Sequence, residues 1–203
     1  MEPKKLLLFA ILAFGVVGLS WIIFGPHPEK YENETPVSEA VGNSYSNEQF
    51  GFEVTVPSGF TVDESYLNQD LGPGREIPGV AFRIPASMAD GTNLSSDSYA
   101  SVEELSDVDC IPSDFLSVQG DASGIPVTMG RNDYISASTT GAAAGNIYEE
   151  TVFVTRKEDR CYAVRYFIHS ANIGNYPEGS VREFDRAGLV SSFDSIASSL
   201  TLY

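Results

Sequence analysis

Hydrophobic and polar positions set three rhythms along this chain. Leu6 to Phe24 is an apolar run without a single charge. As a helix it would rise about 28 Å, close to the roughly 30 Å hydrocarbon core of a bilayer. Residues 25–43 are polar and hold Pro26, Pro28, Glu29, Glu32, Glu34, Pro36 and Glu39, a composition that suits an extended tether. From Tyr45 onward the apolar positions alternate or follow helical spacing, as in a folded domain. The pattern predicts a cytosolic N-terminus at 1–5, a transmembrane anchor at 6–24, a polar tether at 25–43 and an exported globular domain at 44–203.

Within the domain, Phe52, Val54 and Val56 alternate with Glu53 and Thr55, the mark of a half-buried strand. Pro57-Ser58-Gly59 turns the chain, and Phe60 to Val62 begins a second extended piece. Val80 to Ile84 reads as a strand that stops at Pro85. Leu94 to Leu105 is expected to be a short helix with Ser95 or Ser98 as its N-cap. Pro126 to Met129 and Tyr134 to Ala137 read as strands, and Gly141 to Gly145 as a loose loop tip. Ile147 to Thr155 and Tyr162 to His169 form the clearest hairpin, turning at Arg156 to Arg160. In its second strand Tyr162, Val164, Tyr166 and Ile168 share one face, and Ala163, Arg165 and Phe167 the other. Val181 to Ser199 is expected to be a helix, because Leu189, Phe193, Ile196 and Leu200 fall on one stripe. Ser199 to Tyr203 is expected to be a last short strand. The expected fold class is α+β, an antiparallel sheet packed with helices.

Charge orients the first run. Lys4 and Lys5 precede it and none follows until Lys30, which places the N-terminus in the cytosol and the C-terminal bulk outside. The alternative is a cleaved signal peptide ending near Gly18-Leu19-Ser20, although Trp21 to Phe24 prolong the apolar run past that cut. The whole chain carries −16, and from Tyr31 onward 9 basic residues face 26 acidic ones. Such a surface excludes nucleic acid as a partner. The two cysteines, Cys110 and Cys161, lie in the exported part and are expected to form a disulfide. Two separate buried thiols are the other reading.

Candidate chemistry is sparse. The histidines are His27, in the tether, and His169, at a strand end. No Gly-x-Ser-x-Gly turn supplies a nucleophile for His169. Glu149 and Glu150 should point to opposite faces of their strand, which does not suit shared acid–base work. Asp107-Val108-Asp109 places two carboxylates on one side, with Asp63, Glu64, Asp70, Glu103 and Glu104 in the same half, but no Asp-x-Asp-x-Asp-Gly loop is present. No cofactor, metal or catalytic residue is therefore assigned, and the chain is expected not to be an enzyme.

Three features together resemble the PsbP-like domains. Gly51-Phe52, the strand that follows, Pro57 and Phe60 look like the family's opening. The ending Phe193-x-x-Ile196-x-x-Ser199-Leu200 is similar to its final helix and strand, and the hairpin before a polar loop fits as well. The resemblance implies a PsbP-like sandwich of sheet and helices in a non-enzymatic domain that binds or stabilises a partner assembly. It transfers no functional residue. The expected role is a protein-interaction or assembly module at the cell surface, held to the membrane by its N-terminal helix. A ligand- or cation-binding exported domain is the alternative.

Overall fold

The computed structural model describes residues 42–116 and 124–203. These residues form eleven strands and two α-helices in two antiparallel sheets. The expected anchor and all but the end of the expected tether lie outside them. Among the described residues no helix is long and apolar enough to cross a membrane.

The small sheet is built on β2 (Phe52–Pro57), which lies between β1 (Gly42–Asn47) and β11 (Thr201–Leu202). Phe52, Val54 and Val56 are buried while Glu53 stays in solvent, so the period-two pattern is realised as expected. Asn47 closes the β1–β2 turn by accepting the Phe50 amide at 3.0 Å. Gly51 sits there at φ +67°, and a Cβ on it would press the Tyr203 carbonyl at 2.9 Å. Glycine alone fits that position comfortably.

The large sheet runs β3 (Thr61–Asp63), β5 (Ile77–Arg83), β6 (Tyr99–Ser106), β10 (Arg160–Ala171), β9 (Asn146–Lys157), β8 (Asn132–Ala143), β7 (Ile125–Met129). A two-residue strand, β4 (Leu67–Asn68), also pairs with β5. The predicted hairpin is β9–β10, in register from Arg160 opposite Lys157 to Ala171 opposite Asn146. Its turn is only Glu158-Asp159, tighter than the five residues expected. Residues 141–143 are not a loose tip but the end of β8, and the turn there is Ala144-Gly145.

The inner face of the large sheet packs on the small sheet and on α2 (Arg186–Ser199). Val80, Phe82, Val102, Tyr162, Val164 and Tyr166 meet Phe52, Val54, Leu189, Phe193 and Ile196. Phe52, Phe82 and Phe193 are fully enclosed, and each such ring contributes about 1.5–3 kcal/mol by leaving water. The stripe of α2 is the predicted one. The helix begins at Arg186 rather than Val181 because Asp185 caps it, accepting the Gly188 amide at 2.9 Å. Residues before it pair with the chain instead, Arg182 bridging Thr92.

Two expectations are overturned. The fold is mostly antiparallel sheet and is not a helix-packed sandwich. Among the described residues only α2 and the four-residue α1 (Ala86–Ala89) are α-helical. One sheet, not a layer of helices, does most of the covering. The segment expected as a helix at 94–105 is chiefly β6, paired with β5 on one side and β10 on the other. Its inward positions Ala100 and Val102 join the core, while its opposite positions, Ser101 and Glu103, are polar yet fully buried. Ala100, Ser101, Val102 and Glu103 thus keep the alternation of a strand although both faces are buried.

Candidate functional site

The outer face of the large sheet carries the unusual chemistry. Arg165 of β10 projects there, on the face assigned to it from the alternation, and is only 1% exposed. Its Nε donates to Glu103 Oε1 at 2.7 Å and its Nη2 to Glu103 Oε2 at 2.9 Å, a forked pair across β6 and β10. Nη2 also donates to the Phe115 carbonyl at 2.6 Å, and Nη1 to Glu150 of β9. Glu103 Oε1 further accepts the Tyr66 hydroxyl at 2.7 Å and Ser101 Oγ at 2.9 Å. Every nitrogen of the guanidinium and both oxygens of Glu103 thus have partners, as a buried ion pair requires.

The electrostatics follow from enclosure. Burial opposes the charge on Arg165, but the Glu103 carboxylate beside it outweighs that and holds the guanidinium more firmly protonated than usual. Burial pushes the Glu150 carboxyl up, and Arg165, already shared with Glu103, offsets this only in part. Burial raises the Tyr66 hydroxyl too, reinforced by Glu103, so it stays a hydrogen-bond donor.

The lid over this cluster is held covalently. Cys110 and Cys161 form the expected disulfide, with Cα atoms 5.3 Å apart. Cys161 is the second residue of β10, and Cys110 starts the short stretch that carries Phe115, which is fully buried against Val152, Val154 and Ala163. Just after Cys110, Asp114 accepts the Ile111 amide at 3.0 Å and ties the 3₁₀ turn at Pro112–Asp114. The bridge therefore fixes the carbonyl that receives Arg165.

Beyond the lid the same face continues as an aromatic strip. Tyr66 meets Tyr99 edge-on with ring centres 5.2 Å apart, and Tyr99 stacks on Phe167 at 5.1 Å. Tyr148 follows at 6.4 Å from Phe167 and stacks on His169 at 4.5 Å. Tyr148, Phe167 and His169 are half-buried. The strip has a charged group at each end. The Arg83 guanidinium lies 5.6 Å over the Tyr99 ring and is paired to Asp63 at 2.8 Å. At the other end Asp97 meets His169 Nδ1 at 2.9 Å. Burial opposes ionisation of Asp97, but hydrogen bonds from Ser95 and His169 prevail and hold its carboxyl below the usual range.

The acidic residues weighed from the sequence do not converge. Asp63 pairs with Arg83, Glu64 accepts from Tyr45 at 2.7 Å, and Glu104 pairs with Arg160 at 2.9 Å. Glu149 and Glu150 point to opposite faces, Glu149 to Arg186 on α2 and Glu150 to Arg165. Among the described residues no three His, Cys, Asp or Glu side chains form a group that could hold a metal ion. A separate cleft of about 380 Å³ opens beside α1 and the start of α2, lined by Met88, Leu94, Arg182, Phe184, Asp185 and Leu189. The Arg165 cluster escaped the sequence reading because its partners lie 62 and 15 positions away. The one available signal was an arginine inside an otherwise apolar strand.

Fold and site define an antiparallel, two-sheet β-domain with a charged cluster sealed beneath a disulfide-held lid. No family model matches the chain, and no curated relative matches it. Among the solved structures that align with it are two. One is a crystal structure of a protein from Bacteroides thetaiotaomicron VPI-5482, at 14% identity and a TM-score of 0.48, covering 80% of this chain. This chain spans about half of that protein, 48% of its length. The other is LpqN, described as involved in cell envelope biogenesis of Mycobacterium tuberculosis, at 11% identity and a TM-score of 0.35. That alignment covers 80% of this chain and 85% of LpqN.

Proposed function

We propose that this chain is a non-enzymatic, membrane-tethered module on the extracytoplasmic side, which docks a protein partner on the aromatic strip of its outer sheet face. The strip is the observation that carries the reading. Half-exposed rings bordered by Arg83 and Asp97 reproduce the apolar centre and polar rim of a protein interface. The occupant is a partner presenting a basic segment, since a chain of net −16 attracts positive charge at encounter. Two further observations support the setting. The Cys110–Cys161 bridge fits an oxidising compartment, and Leu6 to Phe24 has the length and flanking charge of an anchor. His169 supports a binding role over catalysis: Asp97 holds Nδ1, and Nε2 is buried without a partner, out of reach of a substrate.

The test compares wild type with Tyr148→Ala in capture from detergent-solubilised membranes. One protein should be retained by wild type, released as salt is raised, and lost with Tyr148→Ala while the melting temperature barely moves. Equal retention by both would remove the strip from the reading. The anchor is tested by the mature N-terminus: Met1 or Glu2 means retained, and Trp21 means released.

A second reading, binding of a small ligand, rests on the cleft beside α2, whose volume suits one. A co-purifying ligand lost with Arg182→Ala would favour it.

A further inference from the structure

The open end of the β9–β10 hairpin, where Asn146 faces Ala171, borders a hollow of about 440 Å³. Residues 89–91 and 93–96 form one wall, and Asn146, Ala171 and Tyr176 the other. Every residue of the lining is described, and none of the rings of the aromatic strip belongs to it.

The walls are tied in place. Asn93 is the central clamp: its Nδ2 donates to the Ala171 carbonyl at 2.8 Å, and its Oδ1 accepts the Phe184 amide at 3.0 Å. Backbone bonds repeat the tie, Ala171 N donating to Asn93 O and Ser95 N to His169 O, both at 2.8 Å. On the opposite wall the Gly145 carbonyl accepts from Asn172 N and from Asn175 Nδ2, each at 2.8 Å. That holds the loop carrying Tyr176 beside the start of β9. The shape is therefore set before a ligand arrives, and little ordering is left to oppose binding.

The side chains on this frame are unused. Asp90, Ser96, Asn146 and Tyr176 make no side-chain hydrogen bond or ion pair with any described residue. Asn146 is half-buried, the other three are exposed, and the Tyr176 ring keeps 38% of its surface in solvent.

Their chemistry selects the ligand. The lining holds a carboxylate and no lysine or arginine, so phosphates and carboxylates are repelled. It is chiefly hydroxyl, amide and backbone, with no continuous apolar wall for an acyl chain. What fits is a molecule with many hydroxyls and one apolar face, and a pyranose ring has both. Its C–H face can lie on the Tyr176 ring, which joins an apolar body to a polar tip. Asp90 can accept from two neighbouring hydroxyls, while Asn146 donates and accepts at once. The volume falls within the roughly 300–1,000 Å³ of small-molecule sites. We propose that this hollow binds a neutral saccharide, stacked on Tyr176 and hydrogen-bonded by Asp90, Ser96 and Asn146.

The experiment uses the full chain in a detergent without a sugar headgroup. Saturation-transfer NMR is recorded with glucose, galactose, mannose and N-acetylglucosamine, each at about 10 mM, enough to populate a millimolar site. At least one sugar should receive saturation, and glucuronate should receive much less because Asp90 repels it. Tyr176→Ala and Asp90→Ala should each weaken binding about tenfold, with the melting temperature unmoved, since neither side chain has a partner to lose. Tyr176→Phe, which keeps the ring, should retain binding. No transfer to any of the sugars, glucuronate bound as well as glucose, or an affinity indifferent to either alanine variant would each overturn the inference.

Discussion

Replacing Arg165 by methionine tests whether the buried cluster is a structural keystone. The guanidinium donates to Glu103 twice, to Glu150 and to the Phe115 carbonyl. Methionine fills most of the volume but leaves Glu103 fully buried with only Tyr66 and Ser101 as partners. Charged hydrogen bonds contribute about 1.5–3 kcal/mol each, but their simple sum overstates the loss because Glu150 can turn to solvent, being 20% exposed already. Measured breakages of buried pairs cost about 3–5 kcal/mol, a large part of the roughly 5–15 kcal/mol that holds a domain together. With a slope of about 2 kcal/mol per molar urea, the midpoint should fall by about 1.5–2.5 M. Far-UV circular dichroism is the suitable probe, because the single tryptophan, Trp21, lies in the expected anchor. Adding Glu103→Leu to Arg165→Met should restore much of the loss, since no fully buried carboxylate is then left without its arginine. A loss under about 1 kcal/mol for the single variant, or no recovery in the double, would refute the reasoning.

Other outcomes follow from the same face. Mass spectrometry of the non-reduced protein should find no free thiol, and Cys110→Ala/Cys161→Ala should lose up to about 4 kcal/mol, the chain-entropy value for a loop of this length. The acid limb of stability should show two opposed contributions. Asp97 is depressed in the folded state, so its contribution is present above its ordinary 3.8 and is lost as pH falls through the lower folded value; Asp97→Asn should flatten that fall. Glu150 is raised, so the folded state weakens as pH climbs from the ordinary 4.5 through the folded value, and Glu150→Gln should remove that decline. Melting temperatures between pH 3 and 7 check both.

What was legible in the chain was the spacing of its apolar side chains. Phe52, Val54 and Val56 announce β2, the β9–β10 hairpin declares its two faces although β10 is buried on both, and Leu189, Phe193 and Ile196 mark α2. What was hidden was the pairing of buried polar groups between strands. Ser101 and Glu103 in β6 sit in a dry place because Arg165 and Tyr66 meet them there, and no local pattern encodes partners from other strands. The expected helix at 94–105 rested on Ser95 or Ser98 as an N-cap, and strand pairing with β5 and β10 overrides that local signal. The aromatic strip was obscured for a related reason: Tyr99, Tyr148 and Phe167 are neighbours only through the strand register.

The small sheet has a consequence for the order in which the domain forms. β2 has its first neighbour at once, in β1, but its second is made by residues near the chain end, where the Tyr203 hydroxyl reaches the Phe52 carbonyl across 151 positions. Closing so long a loop is slow. Until Thr201 and Leu202 arrive, the β1–β2 hairpin keeps one bare edge, along Phe52 and Glu53. A chain halted before that point would be sticky rather than merely incomplete, so the last few residues act as the clasp that ends its exposure to proteases and aggregation.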